Sequence, residues 1–165
     1  MFCVKPLEPA QWRTYRDVRL EALLDSPDAF GSTHASEAMR TDQDWSARLQ
    51  TAAQSGRDRA FLVFDGDTAC GLVWCKLAAT EPGVADIFQM WVAPTSRGLG
   101  AGRALLQAAL DWARSLGMQQ VRLGVTDQDT PAMRLYLAQG FKPEGPKEPL
   151  REGSALMSQG MHVTL

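Results

Sequence analysis

Cysteine is scarce in this chain. Cys3, Cys70 and Cys75 are the only three among 165 residues, an odd number with no C-x-x-C pair, so the spacing of a zinc or dithiol redox site is missing. They read as small buried residues of a reducing compartment. If Cys70 through Cys75 is one strand, their five-residue offset sends the two thiols to opposite faces. No run approaches the ~20 apolar residues needed to span a bilayer. The segment Met1 to Pro6 has no long apolar region and no small-residue cleavage site. A surplus of one charge sign is lacking too: seventeen Lys and Arg stand against nineteen Asp and Glu, a net charge of −2. A nucleic-acid coat or a polybasic membrane anchor needs a large positive excess, so no nucleic acid and no membrane is expected as a partner. Repeats, low-complexity runs and linkers are also absent. The expectation is one soluble, cytoplasmic domain spanning residues 1–165.

Apolar residues make up 45% of the chain and charged residues 22%, an ordinary globular balance. A chain of this length buries roughly 68–70% of its unfolded surface and needs no disulfide or metal to fold. Phe2 to Lys5 reads as a first strand ended by Pro6. From Ala10 to Leu24, Trp12, Tyr15, Arg16, Arg19, Leu20 and Leu23 recur at three and four, the helical interval, with Pro9 suited to the first turn. Asp25 to Arg40 is irregular. A second helix is predicted from about Gln43 to Gln54, capped by Thr41 or Asp42, with Trp45, Leu49, Ala52 and Ala53 inward. The period then changes. Ala60 to Phe64 and Ala69 to Leu77 form a hairpin about Asp65-Gly66-Asp67, and Ala85 to Val92 is a third strand. Leu99 to Leu116 is the clearest helix, with Leu105, Leu106, Ala109, Leu110, Ala113 and Leu116 inward and Gly117 as its stop. Val121 to Val125 is a strand, Thr130 to Ala138 a short helix, Phe141 the start of a strand, and Leu156 to Leu165 closes the sheet. This order predicts a mixed sheet with helices, α/β or α+β.

Glycine is the abundant feature: fourteen, three of them packed at Gly98, Gly100 and Gly102. They lie between a strand and the opening of the best helix, in Arg97-Gly98-Leu99-Gly100-Ala101-Gly102-Arg103. Glycine lets a backbone approach a phosphate closely. The first N–H groups of the helix have no internal partner and sit at the positive end of its dipole. Arg97 and Arg103 add charge. The P-loop lysine-hydroxyl pair is missing, because Arg103-Ala104 follows Gly102. The dinucleotide fingerprint fits poorly as well.

Val92-Ala93-Pro94 followed by Arg97-x-x-Gly100-x-Gly102 resembles the R/Q-x-x-G-x-G/A signature of the GCN5-related N-acetyltransferase (GNAT) superfamily. Asp129-x-x-Ala132-x-x-Leu135-Tyr136-x-x-x-Gly140-Phe141 is similar to its later N-x-x-A-x-x-L-Y-x-x-x-G-F motif. Together they span about Asp86 to Phe141 in the family's order. The resemblance implies a centrally splayed mixed sheet flanked by helices, the acyl-CoA N-acyltransferase fold. It also implies acetyl-CoA as co-substrate, no metal, and transfer of acetyl to a primary amine by direct attack through a tetrahedral intermediate. In such a fold Gly98, Leu99, Gly100, Ala101, Gly102 and Arg103, with Arg97, hold the pyrophosphate. The thioester lies beside the backbone of Met90, Trp91 and Val92, where a strand bulge turns one N–H toward the carbonyl.

Coenzyme A leaves as a thiolate, whose conjugate thiol has a pKa of roughly 8.5, and a tyrosine, with its ~10, still carries its proton at neutral pH and can donate it to the departing sulfur. Tyr136 stands at the family's position for that general acid. Asp86 matches where several members carry a catalytic glutamate, one carbon shorter, and is a candidate base acting through water. His34 and His162 are further candidates, and direct deprotonation by water is another route. Asp129 replaces the family's usual Asn; a carboxylate only accepts while ionised, so it is a candidate either for the cofactor or for capping the helix at Thr130. In the acceptor segment, Asp28, Phe30, Glu37 and the nearby Trp45 combine aromatics with carboxylates, which suits a cationic small-molecule or peptide amine. The acceptor's identity stays open. Dimerisation is common in this fold. A coenzyme A-binding sensor or pseudoenzyme without transfer activity is the alternative reading.

Overall fold

The computed structural model describes residues 1–165. Strand β1 (Phe2–Pro6) is followed by a 3-10 turn at Pro9–Gln11 and helix α1 (Trp12–Asp25). The segment expected to be irregular holds a 3-10 turn at Pro27–Ala29 and a one-turn helix, α2 (His34–Glu37), whose N-cap Thr33 accepts from Ser36 N–H. Helix α3 (Asp42–Ser55) is capped by Thr41, not Asp42, through a reciprocal box with Asp44. Then come β2 (Asp58–Asp65), β3 (Thr68–Leu77), β4 (Val84–Val92), α4 (Ala101–Ser115), β5 (Gln120–Thr126) and α5 (Pro131–Ala138). Two short strands, β6 (Lys142–Pro143) and β7 (Glu148–Pro149), precede β8 (Met157–Thr164).

The sheet runs β1-β2-β3-β4-β5-β8-β6, with β7 also on β8, and every pairing is antiparallel except β4 with β5. Helix α4 packs on β1 through β4, while α1 lies on β3 and β4 and α3 lies on α1 and β2. The two groups cover opposite faces: Leu105 of α4 sits 3.3 Å from where a Cβ on Gly71 would stand, and Tyr15 of α1 packs on Trp74, an odd number of residues along β3. The central strands are therefore buried on both sides. Leu62, Val63, Leu72 and Val73 are almost fully enclosed, which is why β2 and β3 read as continuous apolar runs and do not alternate. Each such side chain contributes about 1.5–3 kcal/mol of hydrophobic stabilisation.

Some sequence expectations need correction. Cys3 is exposed on the edge strand, although Cys70 and Cys75 are buried as expected. Strand β3 bulges at Cys70, since Val63 pairs with Gly71 and Phe64 with Ala69, so simple alternation does not carry from Cys70 to Cys75. Burial pushes the Cys75 thiol up to about 12. Ala53 faces solvent and not the core. Leu116, just past α4, is 41% exposed. Phe141 is a buried anchor before β6 and not its first residue.

Candidate active site

The parallel pair β4–β5 is hydrogen-bonded over a short stretch only, from Val84 opposite Gln120 to Ile87 opposite Leu123. Beyond it the strands part company. From Phe88 onward β4 remains on β3, while Gly124 to Thr126 remain on β8. The result is a wedge opening at the carboxyl ends of the two central strands, the end at which ligands enter open α/β sheets. A cleft of about 540 Å³ lies at this point, with Asp86, Phe88, Arg122 and Gly124 in its wall. A neighbouring cleft of about 410 Å³ shares Phe88 and is bounded by Arg48, Trp74 and Gln89.

A bulge sits in β4 beyond the point where β5 leaves it, on the edge paired with β3. Trp74 pairs with Phe88 and Leu72 with Trp91, so Gln89 and Met90 together oppose Val73. Gln89 has φ +57°, alone among the non-glycine residues in being left-handed. Such a conformation costs roughly 1–2 kcal/mol for an L-residue, and β-bulges recur beside active sites because they re-aim the backbone.

The glycine loop follows directly. After a 3-10 turn at Pro94–Ser96 the chain passes through Gly98 and Gly100, both at positive φ, and α4 begins at Ala101. The helix therefore starts two residues later than the apolar period predicts, because Gly100 is its left-handed N-cap. No amide N–H from Gly98 to Arg103 has an acceptor; the first bond of the helix is Ala104 N–H to Gly100 O at 3.0 Å. Six consecutive donors are thus left without a partner just past the wedge end of β4. A Cβ on Gly102 would lie 3.3 Å from Leu135 and within 4 Å of Val92 and Met90, so glycine there allows loop, strand and α5 to meet.

The two arginines of the loop differ. Arg97 turns back: its Nε donates to Val92 O at 2.9 Å and its Nη2 to Asp25 Oδ2 at 2.6 Å. Trp91 Nε1 donates to the same oxygen at 3.1 Å. Hydrogen bonds from Ser26, Trp91 and Arg97 hold the Asp25 carboxyl below the usual carboxylate range. Arg97 therefore ties the end of α1 to the end of β4, with its charge matched by Asp25. Arg103 is exposed and makes no ion pair, so it is the loop's free cation.

Tyr136 of α5 is nearly enclosed, with its ring 5.7 Å from that of Phe141. Its hydroxyl makes no hydrogen bond within the protein yet is not sealed from solvent. Burial pushes the phenol above its ordinary value. Asp129 does not cap α5; Thr130 does, accepting from Met133 N–H at 3.2 Å. Asp129 is exposed and pairs with Arg134 at 2.8 Å.

Asp86 is held by both oxygens: Arg122 Nε reaches Oδ1 at 3.0 Å and Nη2 reaches Oδ2 at 3.3 Å. It also belongs to a row across the sheet. Asp58, Lys76, Asp86, Arg122 and His162 are successive register partners on β2, β3, β4, β5 and β8, and directly opposite residues share a face. The charges alternate along four of the five strands. His162 contacts Glu144 at 3.2 Å. His34 lies in α2, half-buried and away from both clefts.

The acceptor segment is not assembled as the sequence suggests. Trp45 is fully buried, Phe30 is covered by Arg19, and Glu37 is buried among Arg19, Arg40 and Arg48. Asp28 is exposed, and its carbonyl accepts from Thr126 Oγ1. Sequence reasoning missed a chain of polar groups instead: Tyr15 Oη donates to Gln89 Oε1 at 2.8 Å, and Arg48 donates both to Tyr15 Oη at 3.1 Å and to Glu37 at 3.3 Å. The available signal was Arg19 within an apolar stripe, a position that calls for a buried partner.

Comparison with known proteins agrees with this architecture. Residues 17–141 match the model of the Acetyltransferase (GNAT) family. A mycothiol acetyltransferase from Geodermatophilus obscurus is 35% identical over 144 residues, covering 81% of this chain and 45% of its own length. The chain spans less than half the length of the mycothiol acetyltransferases it matches. The Salmonella typhimurium protein yncA, solved with its cofactor acetyl-CoA, superposes with a TM-score of 0.81 at 18% identity, covering 100% of this chain and 94% of the other. A spermidine N-acetyltransferase from Vibrio cholerae, in complex with CoA and spermine, gives 0.79 at 20% identity over 99% and 95%. No helix is long and apolar enough to cross a membrane.

Proposed function

The chain belongs to the acetyltransferase (GNAT) family, and on that premise we propose that it moves an acetyl group from acetyl-CoA to an amine. The observation that carries this reading is the β4–β5 wedge flanked by six acceptorless amides at the start of α4. Such a set of donors fits a pyrophosphate, with the loop from Gly98 to Arg103 around it and Arg103 as the charged partner. Arg97 contributes by fixing the loop on Asp25 and Val92. Acetyl-CoA supplies the activated thioester, lying beside Met90, Trp91 and Val92.

The protein's own groups then have distinct tasks. An amide of the Gln89–Met90 bulge donates to the carbonyl oxygen as negative charge grows there. Tyr136 keeps its proton at neutral pH because burial disfavours the phenolate, and it delivers that proton from Oη to the leaving thiolate as water, which reaches the hydroxyl, returns one to Oη. The amine's proton leaves through water, because both Asp86 oxygens are occupied by Arg122. Asp129, paired with Arg134, stays outside the contact set. The three free thiols suit a cytoplasmic setting.

The test is a panel of amines with acetyl-CoA and a readout of free thiol. Release with at least one amine, slowed in Tyr136→Phe while coenzyme A still binds, supports transfer. Binding without turnover on any amine would favour a coenzyme A sensor.

A further inference from the structure

The one left-handed non-glycine residue of the molecule lies in the β4 bulge, and one buried side chain holds it. Gln89 carries the left-handed φ of the bulge, and its amide oxygen accepts a 2.8 Å hydrogen bond from Tyr15 Oη, seventy-four residues away on α1. Tyr15 is completely buried, its ring packed edge-on against Trp45 and tilted against Trp74, both centroids at 5.6 Å. Packing fixes the ring but not the direction of the hydroxyl proton. Arg48 decides that direction: Nη1 donates to Tyr15 Oη at 3.1 Å, which leaves the hydroxyl its own proton to give to Gln89. Arg48 is anchored in turn by Glu37, which is 3% exposed and shared with Arg19 and Arg40. A relay of Glu37, Arg48, Tyr15 and Gln89 thus runs from α2 through α3 and α1 to the bulge.

We propose that Tyr15 is a positioning residue for acyl transfer: its hydroxyl, oriented by Arg48 and Glu37, locks the Gln89 bulge so that the bulge amide meets the thioester oxygen. The inference rests on the acetyl-transfer reading for its chemistry, but its structural half stands without it. Tyr15 is fully enclosed and lines neither cleft, so it acts through Gln89. A left-handed glutamine relaxes toward an extended conformation unless something outside the strand restrains it, and relaxation would turn the donor away from the wedge.

Tyr15→Phe removes the hydroxyl and keeps the ring. In the protein without ligand, amide hydrogen exchange at the bulge, read at Phe88 and Trp91 and their β3 partners Trp74 and Leu72, is expected to quicken about tenfold, the equivalent of one hydrogen bond lost. With the best amine of the panel, kcat should fall roughly tenfold while KM for acetyl-CoA stays within about twofold. Gln89→Gly accepts the positive φ but offers the hydroxyl no partner, so adding Tyr15→Phe to it should slow kcat no further. Unchanged exchange at the bulge in Tyr15→Phe would overturn the proposal, and so would an equal tenfold loss of kcat in both backgrounds. If the wild type acetylates no amine, the transfer reading fails, and the exchange rates still decide whether Tyr15 holds the bulge.

Discussion

The two sides of the β4–β5 wedge are built by different means. On the side proposed for the cofactor, donors come from backbone: residues 98–103, contiguous in sequence, present six amides through two left-handed glycines and a helix start. On the acceptor side, Tyr15, Glu37, Arg48 and Gln89 come from α1, α2, α3 and β4, and each works through the next side chain. A backbone site is defined by local geometry and tolerates changes in most surrounding side chains. A side-chain relay is defined by packing and fails wherever one member is removed. Variants can pull the two apart, beginning with those of largest effect.

Gly100→Glu should break the cofactor side outright. Space for a Cβ exists there, but φ +95° is hostile to any L-residue, and the carboxylate would compete for the N–H groups that we propose hold phosphate. Losing two charge-assisted hydrogen bonds, about 1.5–3 kcal/mol each, weakens coenzyme A binding by at least roughly 100-fold. Calorimetric titration measures this, with circular dichroism confirming that the fold persists. Binding within tenfold of wild type would contradict the phosphate assignment.

Tyr136→Phe should leave that binding intact and remove the proposed acid. Thiol release is expected to slow by on the order of 100-fold, the lower end of general acid catalysis, with affinity for coenzyme A little changed. Retention of full rate would move the proton donor elsewhere. The variant sharpens the contrast, because it separates holding the cofactor from using it.

Glu37→Gln attacks the relay at its root. Three arginines would lose their shared carboxylate. Because Arg40 and Arg48 reach solvent, the expected cost is about 2–3 kcal/mol, below the figure for a fully enclosed pair, read as a lower Tm. Burial alone would raise the Glu37 pKa, but Arg40, Arg48 and Arg19 outweigh it and hold the group below the ordinary range. A depressed folded pKa means stability present above the unfolded value of about 4.3 and lost as pH falls through the lower folded one. The wild type's advantage over Glu37→Gln should therefore be complete above about pH 5 and shrink in acid; a pH-independent gap would contradict an ionised Glu37 among its three arginines.

The same contrast explains what could be read in the sequence. The glycine loop, α4 and the α5 segment through Phe141 were legible because their determinants lie within a few residues, glycines and a regular apolar stripe, although the cap of α5 is Thr130 and not the expected Asp129. Strand β7 and helix α2 were not, being two and four residues held by tertiary contacts. The pairing of Arg48 with Tyr15 bridges α1 and α3 across thirty-three positions. No local pattern encodes it. Glu37 looked like a site for a cation because its residue type was visible and its three arginine neighbours were not.

Asp86 separates a residue near the wedge from one that works in it. Its position on β4 and its carboxylate both suit a base, yet Arg122 occupies both oxygens and Lys76 is its register partner on β3. Such a cross-strand row stabilises a sheet by roughly 0.2–1 kcal/mol per pair, and Asp86 is about one-third exposed, so solvent screening places it at the low end. Asp86→Asn keeps the shape and removes the charge. We expect kcat within about threefold of wild type and an unchanged acidic limb in the pH–rate profile, since a lost general base would cost 10²- to 10⁴-fold. Loss on that scale, with the limb displaced, would show that Arg122 releases the carboxylate when an amine enters. The acceptor side would then possess a catalytic group of its own, matching Tyr136 across the wedge.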